Sequence, residues 1–131
     1  TEAFYWDLND KTRDFSKRFA ARFNGKVPTS VQAGFYSATL AYLNAVKATG
    51  TDDATKVMAA MKASKWDDPI FGSSYIRADG RKMHNMYLFE VKKPSESKGP
   101  WDYYKLVSTI SGEDAFRPMA DGECPMVAKK N

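Results

Sequence analysis

One stretch, VQAGFYSATLAYLNAVKATG from Val31 to Gly50, constrains this chain more than any other. Past Gln32, only Asn44 and Lys47 bring strongly polar side chains to it. Val27-Pro28-Thr29-Ser30 offers a Thr or Ser cap at its start, and Gly50 offers the left-handed stop, so the stretch reads as one helix. A helix that is apolar nearly all round has to be covered on several sides. Its small residues Ala33, Gly34, Ser37, Ala38 and Ala41 would let neighbouring backbones approach closely. The question is whether the remaining residues can supply that cover.

Upstream, residues 1–6 read as a short strand, apolar on both faces from Ala3 to Trp6, and Asp7 to Asp10 supply turn and N-cap candidates. The triplet Phe4-Tyr5-Trp6 needs a partner surface or a ligand, which a chain end rarely offers, so it is not expected to be a natural terminus. Phe15, Phe19 and Phe23 recur every four residues and so share one face of an amphipathic helix, which Asn24-Gly25 ends. A third helix is expected from Asp53 to Ala63, capped by Thr51 or Asp52, with Val57, Met58 and Met61 inward.

After Pro69 the pattern changes. Tyr75-Ile76-Arg77 is followed by Ala78-Asp79-Gly80-Arg81, a hairpin-turn signal. Met86 to Val91 alternates as a strand, with Met86, Leu88 and Glu90 on one face and Tyr87, Phe89 and Val91 on the other. Pro94 to Pro100 is a polar loop, Trp101 to Ile110 a further strand, and the rest a tail punctuated by Gly and Pro. The expected fold is α/β: a strand, three helices, then strands. One short strand and a strand pair cannot cover the second helix, so the chain reads as the C-terminal part of a larger α/β protein, or as a module obliged to associate.

The chemistry on offer is restricted. A net charge of +4 is scattered among acidic residues, and the runs Lys92-Lys93 and Lys129-Lys130 are too short for a nucleic-acid footprint. No stretch reaches the roughly 18 consecutive apolar residues of a membrane span. One His and one Cys make no spaced metal-ligand set. There is no Gly-x-Ser-x-Gly elbow, and Gly72-Ser73-Ser74 lacks the spacing and lysine of a phosphate loop. His84 reads as a surface residue at a strand start. Asp52-Asp53 and Asp67-Asp68 sit where caps and turns expect acidic groups.

What remains suits the holding of a small molecule. Tyr5 and Trp6 stand at a strand end, and Gln32 and Tyr36 share one helical face. Open α/β sheets bind ligands beyond strand ends and near helix N-termini, where free backbone N–H groups favour anions. Gln32 lies in the first turn of the second helix, so a carboxylate could meet those groups while rings cover its apolar part. The competing reading makes Tyr5, Trp6 and Tyr36 core aromatics.

FYWDLNDKTRDFSKRF, VPTSVQAGFYSATLAYLNAVKATGTDDATKVMAAMK and YIRADGRKMHNMYLFEVKKPSESKGPWDYYKLVSTISGEDAF together resemble the C-terminal third of periplasmic substrate-binding proteins of ABC transporters, of the branched-chain amino-acid-binding (Leu/Ile/Val-binding-like) group. The resemblance implies a type I fold of two doubly wound lobes joined by hinge crossovers, of which this chain would be a fragment. Residues 1–10 would be a hinge crossover strand, 11–68 helices packing on a lobe, and 69–131 strands and tail near the hinge. The N-terminal lobe would lie outside this chain and would cover the second helix.

Carried over by position, the resemblance implies that Tyr5 and Trp6 face the cleft. It places Gln32, beside Val31 and Ala33, where relatives put a ligand-contacting side chain. Branched-chain binders tend to carry an aromatic there, so a more polar or aromatic acid is favoured over an aliphatic amino acid. Cys124 would be half of a disulfide whose partner lies outside this chain, in keeping with an oxidising compartment. The expected function is non-enzymatic and needs no cofactor or metal: a periplasmic receptor for a small amino acid or an organic or aromatic carboxylate, serving ABC permease subunits. A ligand-sensing domain of the same fold is the alternative, and a small enzyme of unrelated fold using His84 the third.

Overall fold

A computed structural model describes residues 1–125 and 127. Three helices come first. Helix α1 (Asp10–Ala20) opens on a reciprocal cap: the Asn9 side chain accepts from the Thr12 amide at 3.0 Å, and Thr12 Oγ1 accepts from the Asn9 amide at 3.0 Å. Asn24 and Gly25 both take positive φ (51° and 73°), so the chain reverses where the sequence predicts. The helix stops at Ala20, however, and Phe23 falls in the turn beyond it, exposed, its ring tilted against Phe19 at 5.1 Å.

Helix α2 (Ser30–Thr49) is capped by Thr29 and stopped by Gly50 at φ 65°. No helix among the described residues is long and apolar enough to cross a membrane. Helix α3 (Ala54–Ala63) takes Asp53 as its cap, with the carboxylate accepting from the Lys56 amide at 3.0 Å. Thr51, one of the two expected caps, instead accepts from the Asp53 amide. Val57 packs inward as expected, whereas Met58 is exposed.

Among the described residues, five strands follow in two antiparallel sheets. Strands β1 (Lys65–Asp68), β2 (Gly72–Ile76) and β3 (Lys82–Met83) lie in that order, and β4 (Met86–Val91) pairs with β5 (Tyr104–Ile110). The register of β4 on β5 shifts at Leu88/Phe89. The sequence signal missed β1 and grouped residues 65–68 with the helices. KWDD is too short, and too polar apart from Trp66, to show a period. The Asp79-Gly80 turn joins β2 to β3 with Gly80 at φ 87°. Strand β5 begins three residues later than the apolar run suggests, because Trp101 turns to φ 70°. A four-residue helix, α4 (Gly112–Ala115), interrupts the expected tail.

Residues 1–6 are not a strand. Glu2 alone pairs, exchanging two 2.9 Å hydrogen bonds with Tyr87. Phe4 and Tyr5 are then both buried, which two consecutive residues of an extended strand cannot manage on one face. Phe4 meets Phe15 edge-on at 6.1 Å, and Phe15 meets Tyr36 at 5.0 Å. With Ala33 and Ile70 these form the core between α1, α2 and the chain start.

Helix α2 buries its small residues, Ala33, Ser37 and Ala45, against the rest of the chain. Its large ones point away: Val31 and Phe35 are each 77 % exposed, and Leu43 54 %. Near-complete burial of this helix is therefore not achieved within the described residues.

A charged knot joins α2 to the first sheet. Asp68, 1 % exposed, accepts from Ser37 Oγ at 2.5 Å, Lys82 Nζ at 2.7 Å, and the Ile70 and Phe71 amides at 2.9 and 3.0 Å. Burial alone would raise its pKa. The hydrogen bonds from Lys82, Ser37 and the two amides outweigh that and hold it at about 2. Lys82 also donates to Ser37 and lies 4.5 Å from the centre of the Phe71 ring.

Candidate ligand site

The structure separates the four residues expected to bind ligand into two pairs. Gln32 and Tyr36 line an open apolar groove of about 520 Å³ between α1 and α2, with Phe15, Phe19, Phe35 and Leu43 among its walls. The Gln32 carbonyl is committed to the cap, accepting from the Thr29 amide at 2.9 Å and from the Thr29 hydroxyl. Tyr36 is half-buried against Phe15, as the competing core reading has it.

Tyr5 and Trp6 line a different cavity, of about 290 Å³, between the chain start, the segment Val27–Ser30 and the turn Trp101–Tyr104. The hydroxyl of buried Tyr5 donates to the Trp101 carbonyl at 3.1 Å and accepts from the Tyr103 amide at 3.1 Å. The Trp6 indole N–H donates to the same carbonyl at 2.8 Å. Two aromatic side chains thus hold Trp101 in its left-handed conformation, a strained one for a residue with a side chain. A neighbouring ion pair, Lys92 with Asp102, stiffens the turn, and the hydrogen bond from Lys92 draws the Asp102 carboxyl below its ordinary range. Tyr5 is therefore a framework residue whose polar end is already used, while Trp6, partly buried against the core, also lines the cavity.

Sequence reasoning missed Glu2 and the Trp101–Tyr104 turn as parts of this cavity. Glu2 Oε2 accepts from Ser30 Oγ at 2.6 Å, tying the chain start to the first residue of α2. No local signal could have found that contact, since 28 residues separate the partners. The run Trp101-Asp102-Tyr103-Tyr104 is an aromatic cluster after a polar loop, and that was the legible hint.

His84 is half-buried rather than a fully solvated surface residue. It lies between β3 and β4, stacked on Phe71 at 4.8 Å and edge-on to Phe116 at 5.3 Å. Burial between these rings pulls its pKa below the ordinary histidine value, with the Asn85 carbonyl opposing. Among the described residues no three His, Cys, Asp or Glu side chains gather to hold a metal. Cys124 is half-buried and unpaired among the described residues, in a shallow polar pocket with Asp79, Arg81 and Arg117.

Helices backing two antiparallel sheets, with an aromatic cavity where a helix begins, make this a mixed α/β unit. The model of the family described as periplasmic binding protein matches residues 1–100. A crystal structure of a periplasmic binding protein from Burkholderia mallei is 48% identical, with a TM-score of 0.89 over 95% of this chain and 32% of that one. A branched-chain amino acid ABC transporter periplasmic ligand-binding protein from Burkholderia xenovorans LB400 is likewise 48% identical, with a TM-score of 0.89 over 95% of this chain and 33% of that one. A solute-binding protein of an ABC transporter from Rhodopseudomonas palustris BisB5, in complex with 3,4-dihydroxy benzoic acid, shares the fold at 23% identity, a TM-score of 0.69, and coverage of 84% and 30%. No curated protein matches. This chain belongs to the periplasmic binding protein family, whose members here are solute receptors and not enzymes. It spans about a third of the length of those receptors.

Proposed function

We propose that the chain serves as part of the solute-binding component of an ABC transporter. That component binds a small amino acid or an organic or aromatic carboxylate in the periplasm and presents it to permease subunits. The observation that carries this reading is the 48% identity to the Burkholderia xenovorans receptor, sustained over 95% of this chain. The aromatic cavity at the start of α2 supplies a surface of suitable chemistry, with Trp6 offered to the ligand. Gln32 lines the separate α1–α2 groove, where its oxygen caps the helix. Tyr5 and Tyr36 act behind them, by holding the Trp101 turn and the α1–α2 packing in place.

On this reading the exposed face of α2 seats the N-terminal lobe of the same receptor, and lobe closure follows from tighter ligand contact in the closed state. Cys124 pairs with a cysteine outside this chain, a proposal resting on the family resemblance. The test is a thermal-shift screen of the full-length protein against L-amino acids and aromatic acids, including 3,4-dihydroxybenzoate. A ligand present at about 100 times its Kd adds roughly 2.7 kcal/mol of stability. At least one compound is expected to raise Tm by several degrees, and a flat response across the whole panel would sink the transport reading.

A further inference from the structure

We infer that the end of α1 and the turn after it form a docking surface for an anionic lipid membrane. Lys17, Arg22 and Lys26 meet the headgroups, and Phe23 enters between them. The basic excess of the chain is not spread evenly. From Phe15 to Thr51 the sequence holds Lys17, Arg18, Arg22, Lys26 and Lys47 and not one Asp or Glu. The rest of the chain is balanced to within one charge. Four of those cations fall between Lys17 and Lys26, and all four are exposed. Asp14 neutralises Arg18 at 3.0 Å. Lys17, Arg22 and Lys26 form no ion pair among the described residues.

The dipole of α1 accounts for Lys17 and Arg18 in its last turn, but Arg22 and Lys26 lie beyond the helix. Residues 21–26 are all exposed, Phe23 at 52 %, where Asn24 and Gly25 turn the chain back through positive φ. A lone exposed aromatic is ordinary. One set among unpaired cations, with no acidic residue in the segment, has the composition of an interfacial anchor. The patch is separate from the face of α2 assigned above to the N-terminal lobe: neither Phe23 nor any of the four cations walls the α1–α2 groove. An anionic surface favours each Lys or Arg held against it by about fivefold, so three raise partition roughly a hundredfold. A bilayer asks for no fixed pairing geometry. That suits two lysines, which are point charges on flexible stems, better than a protein face whose carboxylates select a preset guanidinium fork. The inference goes beyond the receptor reading and does not depend on which solute is bound.

The test is co-sedimentation of the full-length protein with vesicles of phosphatidylcholine alone or with roughly 30 mol% phosphatidylglycerol. At about 50 mM salt, partition onto the anionic vesicles is expected to exceed that onto neutral ones by about tenfold or more, and to vanish near about 500 mM as the charges are screened. This salt dependence needs no variant. The triple change Lys17→Gln, Arg22→Gln and Lys26→Gln should bring partition down to the neutral-vesicle level, and Phe23→Ser should lower it by a smaller factor. Lys56→Gln, Lys93→Gln and Lys98→Gln together remove the same charge from exposed sites elsewhere and should keep most of the preference. Equal loss in the two triple variants, both with wild-type Tm, overturns the inference in favour of overall basicity. No preference for anionic vesicles also overturns it; salt-sensitive retention on immobilised polyglutamate would then assign the patch to an acidic protein face. Neither result touches the receptor reading, which the ligand screen tests separately.

Discussion

Replacing Asp68 by Asn probes the knot between α2 and the first sheet. The amide oxygen can take the place of Oδ1 and keep the hydrogen bonds from the Ile70 and Phe71 amides at 2.9 and 3.0 Å. The new N–H₂ group then replaces Oδ2, which receives Lys82 at 2.7 Å and Ser37 at 2.5 Å. It would face an ammonium that has lost its counter-charge. Breaking a buried ion pair by removing one partner costs about 3–5 kcal/mol. Lys82 keeps 22% of its side chain in reach of water, which argues for the lower end, about 3 kcal/mol.

The acid limb gives an independent figure. The Asp68 pKa falls from 3.8 to about 2 on folding, a difference of roughly 2 units or about 2–3 kcal/mol at about 1.36 kcal/mol per unit. A depressed carboxylate pKa stabilises the fold above the unfolded value, and that contribution is lost as pH drops from about 4 to about 2. Urea unfolding followed by tryptophan fluorescence reads both effects, since the Trp66 indole lies 3.4 Å from the carboxylate. Asp68→Asn should lose about 3 kcal/mol at pH 7 and flatten the pH dependence between 4 and 2. The double variant Asp68→Asn with Lys82→Met should recover most of the loss. A loss below 1 kcal/mol, or an unchanged acid limb, would refute the assignment of the knot as a buried ion pair.

Phe35→Ser in the full-length protein should cost about 2–4 kcal/mol if another lobe covers α2, as large-to-small changes in packed cores do; a urea unfolding free energy within about 0.5 kcal/mol of wild type, the size of a surface change, would mean the face meets water. Gly112→Ala should lower Tm measurably, by about 1–3 kcal/mol of stability, because its Cβ would sit 2.8 Å from the His84 backbone carbonyl oxygen; an unchanged Tm would show that α4 can shift freely. His84 has a folded pKa below its unfolded 6.5, so the unfolded chain binds more protons and stability should fall as pH drops below about 6.5. An NMR titration giving His84 a midpoint at or above 6.5 would contradict its burial between Phe71 and Phe116.

Much of the fold was legible because its signals are local. Thr29, Gln32 and Gly50 delimit α2, Asn24-Gly25 reverses the chain, and Asp79-Gly80 turns one strand onto another; each acts within a few residues of itself. The alternation of Met86 to Val91 likewise shows its strand without help. The misreadings share one cause, a dependence on distant partners. Residues 1–6 look like a strand, yet Phe4 and Tyr5 both turn inward because Phe15 awaits one and the Trp101 turn the other. Met58 fits the apolar period of α3 but stays 45% exposed.

The candidate site divides along the same line. Aromatic density at Phe4-Tyr5-Trp6 marked a place that needed a surface, and the sequence by itself determined that a ligand or partner surface should be sought there. It also determined the helix starts, the turns and the excess of apolar surface on α2. Which of those rings is spent on structure was decided only in three dimensions, where the Tyr5 hydroxyl meets the backbone of residues nearly a hundred positions away. The same holds for Glu2 on Ser30, His84 between two phenylalanines, and Lys82 on Asp68. Side-chain periodicity reports which face of an element is apolar. It carries no information about which distant group completes a hydrogen bond, and that completion is what turns a patch of suitable residues into a site.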